Sequence, residues 1–586
     1  MTQPITAEQA LRNLRQPRVL HPVLLALSPL FGLYAQNAEY LPLHVLIRPA
    51  VTLTLGALLL WIACSLIIRD HFKGGLFAST LILGLVVLWG PLEDIIEWVV
   101  PVLATWPPVF FYVAYGLFMI TATAYIIVRI RTRGDDNLKG LRLLFILTLA
   151  GFLVAALLFS PLFGRRAAWL ITGYLILLAM ASVTVWRYQG DRLRATRMAN
   201  WFGTVLLALY MVVVVYNLPR SDARDLDPFA IPVSDQQDKP DVYCIMVDGY
   251  PRGDVLRSTY GYNNLTFEQF LTEKGFQIAD RSRTNYTSNL VSLAAFLNGD
   301  YLQNLVPDES RPTAGMETVL RLYRQNRVAE FFDRLGYTSY AFSPGLESIE
   351  PYKGADVILK PPHALGEFEL VLLNRTFVSR LMQGVFYFLY RNPAYWRFEF
   401  RRERILYWAN QMGKVAAEEG EPKIVFTHLL VPDPPFLFTR DGHRAQPFGR
   451  GSLAIDREFR ASPEEYVAAY REQLHFTNQL LQKAIDSVLD ASKSPPIILI
   501  VSGQGSRFVR GVTGAESIPK DIFSNFVAVH LPRHDTPLTP LPADITLVNV
   551  FPFVLNAVFD ADVDVQEDVC YSVAESSPLQ AEPLPQ

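Results

Sequence analysis

The chain has 586 residues, 51% of them hydrophobic, with a formal net charge of −3. That length is too great for one hydrophobic core, and so slight a negative balance carries no basic footprint for nucleic acid, which is excluded as a partner. Three cysteines, Cys64, Cys244 and Cys570, are too few and too scattered for a disulfide framework, although a Cys244 to Cys570 bridge stays open beside the reading of Cys244 as a small buried apolar side chain.

From about Arg18 to Leu218, apolar runs recur near 18–35, 44–68, 75–91, 108–129, 142–163, 168–186 and 200–218. Several are long enough to cross ~30 Å of hydrocarbon, so residues 1–218 are expected to form a transmembrane domain of about seven helices. Pro22 and Pro29 interrupt the first run, and the third ends in Glu93, Asp94 and Glu97, which leaves six as the alternative count. Basic residues precede span one (Arg12, Arg15, Arg18) and follow spans two (Arg69, Lys73), four (Arg131, Arg133, Lys139) and six (Arg192, Arg194, Arg197). Lys and Arg are retained on the cytoplasmic side during insertion. The N-terminus is therefore expected in the cytoplasm and the C-terminal half outside it, in a plasma or inner membrane whose bilayer is the first partner. The first run lacks a small-residue cleavage site and reads as a retained span. No intramembrane charge network marks an ion path, which ranks a transporter last.

Residues 219–240 are rich in Pro and Asp and read as an extended linker. Strand-like runs follow at 241–249 (DVYCIMVDG), 337–342, 423–431, 496–503 and 526–531, interleaved with helical patterns at 266–274, 290–298, 327–335 and 463–491. Alternating apolar strands and helices predict an α/β domain over 241–570 with a mostly parallel central sheet covered on both faces. Residues 571–586 are polar and Pro-rich, and are expected to be a disordered tail. Within 395–404, YWRFEFRRER interleaves Arg397, Arg401, Arg402 and Arg404 with aromatics; a solvated helix face is the plainer reading, and contact with anionic lipid or glycan the sharper one.

In such sheets ligands gather at the carboxyl ends of the strands. Four clusters leave those ends: VDGY at 247–250, NYTSNLVSLAAFLN at 285–298, HLLVPDPPF at 428–436 and VSGQGSRF at 501–508. In order and spacing, over roughly 238–560, they resemble the membrane-bound sulfatase-like proteins of the alkaline phosphatase superfamily, which includes sulfatases, phosphoethanolamine transferases and lipoteichoic acid synthases. The resemblance implies an extracytoplasmic domain that in active relatives holds divalent metal and passes a phosphoryl or sulfuryl group through a hydroxyl or modified Cys nucleophile. It places a metal-binding Asp on Asp248, which is present. It places the nucleophilic Thr on Asn289, a metal-binding His on Asp433, and the two ligands of a strand-end D-H-G on Gly503 and Gln504.

An amide is no nucleophile, and a covalent intermediate needs an activated hydroxyl, thiol or comparable group. Thr287, Ser288 and Ser292 lie nearby as alternatives, each at a register that would re-aim the side chain. Zinc is disfavoured because its nitrogen ligands are missing; Asp248, Asp433, Asn289 and Gln504 form an oxygen-only set that suits a Ca or Mg ion. Each residue also has a plainer reading. Asp248 before Gly249 suits a strand-end turn, Asn289 an N-cap, Asp433 a solvated loop acid, Gly503 to Gly505 a tight turn, and His428 a satisfied core histidine. The expectation is a catalytically inactive pseudoenzyme with a structural or regulatory role in envelope lipid or glycan metabolism, partnered by an envelope lipid, glycan or membrane protein. The alternative is an active metal-dependent hydrolase or transferase with an atypical nucleophile.

Overall fold

A computed structural model describes residues 17–38, 41–95, 171, 174–217, 229, 239–306, 315–346, 349–350, 354–390, 395–445, 462–506, 520–532, 539–574 and 577–584. The expected spans at 108–129 and 142–163 and most of the linker lie outside them. The chain divides into a helical unit, Met1–Pro219 with Phe368–Pro393, and an α/β unit, Arg220–Glu367 with Ala394–Gln586. The second stretch of the helical unit departs from the expected division, because sequence patterning had placed it inside the α/β domain.

In the helical unit, Leu43–Ile68 and Arg192–Asn217 are long and apolar enough to cross a membrane. His71–Val87 and Trp89–Ile95 together form a third candidate, bent by 41°. The run at 18–35 becomes the 17-residue helix His21–Asn37, with Pro29 inside it, and part of the run at 168–186 becomes the shorter apolar helix Tyr174–Trp186. Asp70 caps the helix that starts at His71 by accepting hydrogen bonds from the Phe72 and Lys73 amides, which closes the turn between two antiparallel apolar segments.

The α/β unit is built on a seven-stranded sheet: β1 Val242–Asp248, β2 Gln277–Ile278, β3 Thr338–Phe342, β4 Val357–Leu359, β5 Lys423–Pro432, β6 Ile497–Val501 and β7 Val527–His530, in the order β2-β7-β6-β1-β5-β3-β4. The strands from β6 to β4 run parallel; β7 and β2 add antiparallel pairs at one edge. β1 shows why an unbroken apolar run suits the centre. Val242, Cys244 and Met246 enter one core with the helix Asn289–Asn298 and Phe551, while Tyr243, Ile245 and Val247 enter a second core with Trp408, Met412, Leu481 and Ile485. Side chains alternate between faces, and both faces are dry. The long helix Pro463–Ala491 begins at a capping box in which Ser462 and Glu465 satisfy each other's backbone amides.

The tail is a correction. Tyr571–Ala574 (β8) and Ser577–Pro583 (β9) pair antiparallel, and Leu579 is 2% exposed within the first core. A polar composition misleads here because a few apolar side chains, Leu579 with Tyr571, Val573 and Ala581, and backbone pairing anchor the hairpin. All three cysteines are free; Cys244 is a wholly buried strand residue, and no Cys244 to Cys570 bridge exists. Leu579→Ala should lower stability by about 2–5 kcal/mol, read from denaturation of the purified protein; an unchanged midpoint would contradict the packed hairpin.

Candidate functional site

β1 lies between β5 and β6, and all three end together, so residues leaving them share one edge of the sheet. The β1/β5 register slips between Val247 and Asp248, where Asp248 pairs with Pro432. The Asp433 amide then donates to the Asp248 carbonyl at 3.2 Å. Gly249 has φ +65°, and a Cβ there would collide with the Asp433 carboxylate. Only glycine serves at this position, on conformation and on space. The two acids predicted from sequence are thus brought side by side.

Asn289 is the first residue of its helix, with Ser288 at the N-cap and no side-chain capping bond. The N-cap reading of Asn289 therefore fails by one position. Its Nδ2 instead donates to Asp248 Oδ1 at 2.7 Å, which directs Oδ1 towards Gly503, where any Cβ would strike it. The second cluster meets the first and the fourth in this way. Gln504, 1% exposed, follows directly.

His428 is both a core histidine and a member of the site. Its Nε2 lies 2.7 Å from Asp248 Oδ1, and its Nδ1 lies 2.9 Å from the Tyr323 hydroxyl. Because a carboxylate accepts, Nε2 carries the proton and Nδ1 accepts from Tyr323. Burial, then the Asp248 charge, raises the Tyr323 phenol well above its ordinary value, so it stays a donor. Sequence patterning could not find Tyr323, which arrives from the helix Met316–Arg324.

Two of the three hydroxyls near Asn289 are engaged elsewhere, while Ser288 makes no side-chain capping bond. Thr287 Oγ1 accepts from the Val573 amide at 3.0 Å, and Ser292 Oγ donates to the Tyr286 carbonyl at 3.2 Å. Ser288 holds the N-cap position. The arginine-rich segment is not simply a solvated face. Arg404 is buried and donates to Ser343 and to the Leu365 carbonyl, and Arg402 donates to the Gly442 carbonyl. Arg401 is half-buried and lines a cavity with Arg404, Thr427 and His428. Burial lowers its guanidinium from the ordinary value, while the carboxylates of Glu367, Asp248 and Asp433 oppose the fall. The side chain of Arg397 lies outside the described residues.

A zinc centre does not fit these residues. Among the described residues no three His, Cys, Asp or Glu side chains gather for a metal, and both nitrogens of His428 are already hydrogen-bonded. Two buried acceptors do lack donors, Asn289 Oδ1 and Gln504 Oε1. An orphaned amide oxygen on Asn289, whose amide bonds Asp248, suits a hard cation such as Ca²⁺ or Mg²⁺ better than zinc.

No protein-family model and no curated protein matches the sequence. Solved structures do resemble it. The C-terminal periplasmic domain of EptC from Escherichia coli, in complex with zinc, is 10% identical over 60% of this chain and 94% of its own, with a TM-score of 0.38. A phosphonate monoester hydrolase of Agrobacterium radiobacter is 12% identical over 57% of this chain and 80% of its own, with a TM-score of 0.36. A putative sulfatase from Bacteroides thetaiotaomicron is 13% identical over 56% of this chain and 72% of its own, with a TM-score of 0.33.

Asp248→Ala leaves the Asn289 amide and the His428 Nε2 proton without their acceptor. Each buried donor left unpaired costs about 1–3 kcal/mol, so the variant should melt clearly below the parent, and an unchanged thermal midpoint would mean that the carboxylate holds nothing together.

Proposed function

We propose that the protein is a membrane-anchored, extracytoplasmic sulfatase-like pseudoenzyme with a structural or regulatory role in the lipid or glycan metabolism of a cell envelope. The observation that carries this reading is the Asn289 amide: where the resemblance calls for a nucleophilic hydroxyl, the side chain is hydrogen-bonded to Asp248. Group transfer through this residue is chemically closed, since a carboxamide offers no activated oxygen. Thr287 and Ser292 do not replace it, because their hydroxyls serve the backbone of β8 and the turn before the helix; Ser288, at the N-cap without a side-chain capping bond, is the hydroxyl left to the alternative of an atypical nucleophile, one residue out of register. A face that binds without turning over remains available at the ends of β1, β5 and β6.

The protein purified with its membrane helices should show no metal-dependent turnover of aryl phosphate or aryl sulfate esters, with zinc, manganese, magnesium or calcium added. Turnover abolished by Asp248→Ala would reject the pseudoenzyme.

A structural ion is supported separately by the unpaired Asn289 and Gln504 oxygens. Asp248, Asp433, Asn289 and Gln504 would hold it, and it would neutralise the acid pair without chemistry. A ligand bound only to the folded state stabilises it by about 2.7 kcal/mol at a hundred times its Kd. Calcium or magnesium should therefore raise the thermal midpoint of the parent and leave that of Asp248→Ala unmoved; equal responses in both would remove the ion from this site.

A further inference from the structure

The segment that leaves the α/β unit at Glu367 and returns at Ala394 carries two helices, Glu367–Asn374 and Phe377–Tyr390. Its attachments within the helical unit are specific. Phe368 and Leu372 pack with Leu30, Tyr34, Ala35, Ala38 and Val214. Glu369 pairs with Arg48 at 2.7 Å and Arg375 with Asp94 at 3.1 Å. Arg380 pairs with Glu93, whose carboxylate also accepts from Trp89 Nε1, and the ring of Phe377 meets Trp89 edge-on at 4.8 Å.

These contacts fall at one level. The chain crosses in Leu43–Ile68 and returns through His71–Ile95, so Arg48 near the start of the first and Glu93 near the end of the second share one end of the bundle. Val214, near the end of Arg192–Asn217, lies there too. The inserted segment therefore sits where the candidate spans meet a membrane surface.

Among the described residues the helix Phe377–Tyr390 presents an exposed apolar face. Val378, Leu381 and Val385 are 46%, 49% and 56% exposed, and their spacing of three and four residues puts them on one stripe. Ser379 and Arg380 lie off that stripe, buried and ion-paired respectively. At 14 residues and 1.5 Å per residue the helix is roughly 21 Å long, too short to cross ~30 Å of hydrocarbon. Three adjacent exposed aliphatic side chains on a short helix, pinned by its other side to span ends, match an element that lies in the plane of an interface.

We infer that Phe377–Tyr390 is an interfacial helix whose Val378, Leu381 and Val385 stripe is buried among lipid at that end of the bundle. The occupant of the stripe is the bilayer, because it is continuous with the spans. This goes beyond the loss of turnover and stands whether or not esters are cleaved.

The test uses the full chain in phosphatidylcholine nanodiscs, with Cys64→Ala and Cys570→Ser, Cys244 being wholly buried. An environment-sensitive fluorophore is attached singly at Leu381→Cys, Val385→Cys and, as a water-facing control, Gln479→Cys. Doxyl-labelled lipid should quench the probes at 381 and 385 at least several-fold more than the probe at 479, and iodide in the buffer should do the reverse. Iodide quenching at 381 and 385 equal to that at 479 would overturn the inference. So would protection from both quenchers, which would assign the stripe to a protein partner.

Discussion

The carboxylate of Asp248 is the point on which the candidate site turns. It stands where the central strand runs out, mostly removed from water, and a charge in that position is costly unless it is compensated. The compensation comes from three separate elements: the Asn289 amide at the start of a helix, the His428 ring on the neighbouring strand, and through that ring the Tyr323 hydroxyl. Each of these groups is fixed by its own hydrogen bonds or burial. They order the edge of the sheet as a set, because moving any one strips a partner from the next.

Charge balance at the same edge involves Arg401 as well. The Asp248, Asp433 and Glu367 carboxylates all act on its guanidinium, so the acids are not left to repel one another across an apolar interior. The acids at these strand ends are partnered by the protein's own donors and cations.

Much of this was legible from residues alone. DVYCIMVDG reads as a buried parallel strand because apolar side chains on both faces leave no solvent side, and three of the four motif clusters converge because the parallel strands β1, β5 and β6 deliver their ends to one edge. Asn289 was misread by local preference: amides favour N-caps, but a carboxylate across the sheet edge outcompeted the capping bond. β2 and β4, of two and three residues, are too short to have a period, and they exist only because neighbouring strands template them. The β8/β9 hairpin is Pro-rich and polar, so its core contacts through Leu579, Tyr571, Val573 and Ala581 were hidden by its composition. The arginines of 401–404 illustrate the same limit, since a charge run looks alike whether it meets water or, as for Arg404, backbone carbonyls and a serine.

The inserted segment constrains the order in which the molecule can assemble. β1 and β3 find their common neighbour only in β5, and that strand begins at Lys423, beyond the residues that dock on the helical bundle. During synthesis the early strands must therefore wait, unpaired along that seam, until Phe368–Pro393 has emerged. Sheet closure cannot precede the emergence of that segment, and a ribosome-bound chain halted before Lys423 would present open strand edges to whatever quality-control factors patrol that surface.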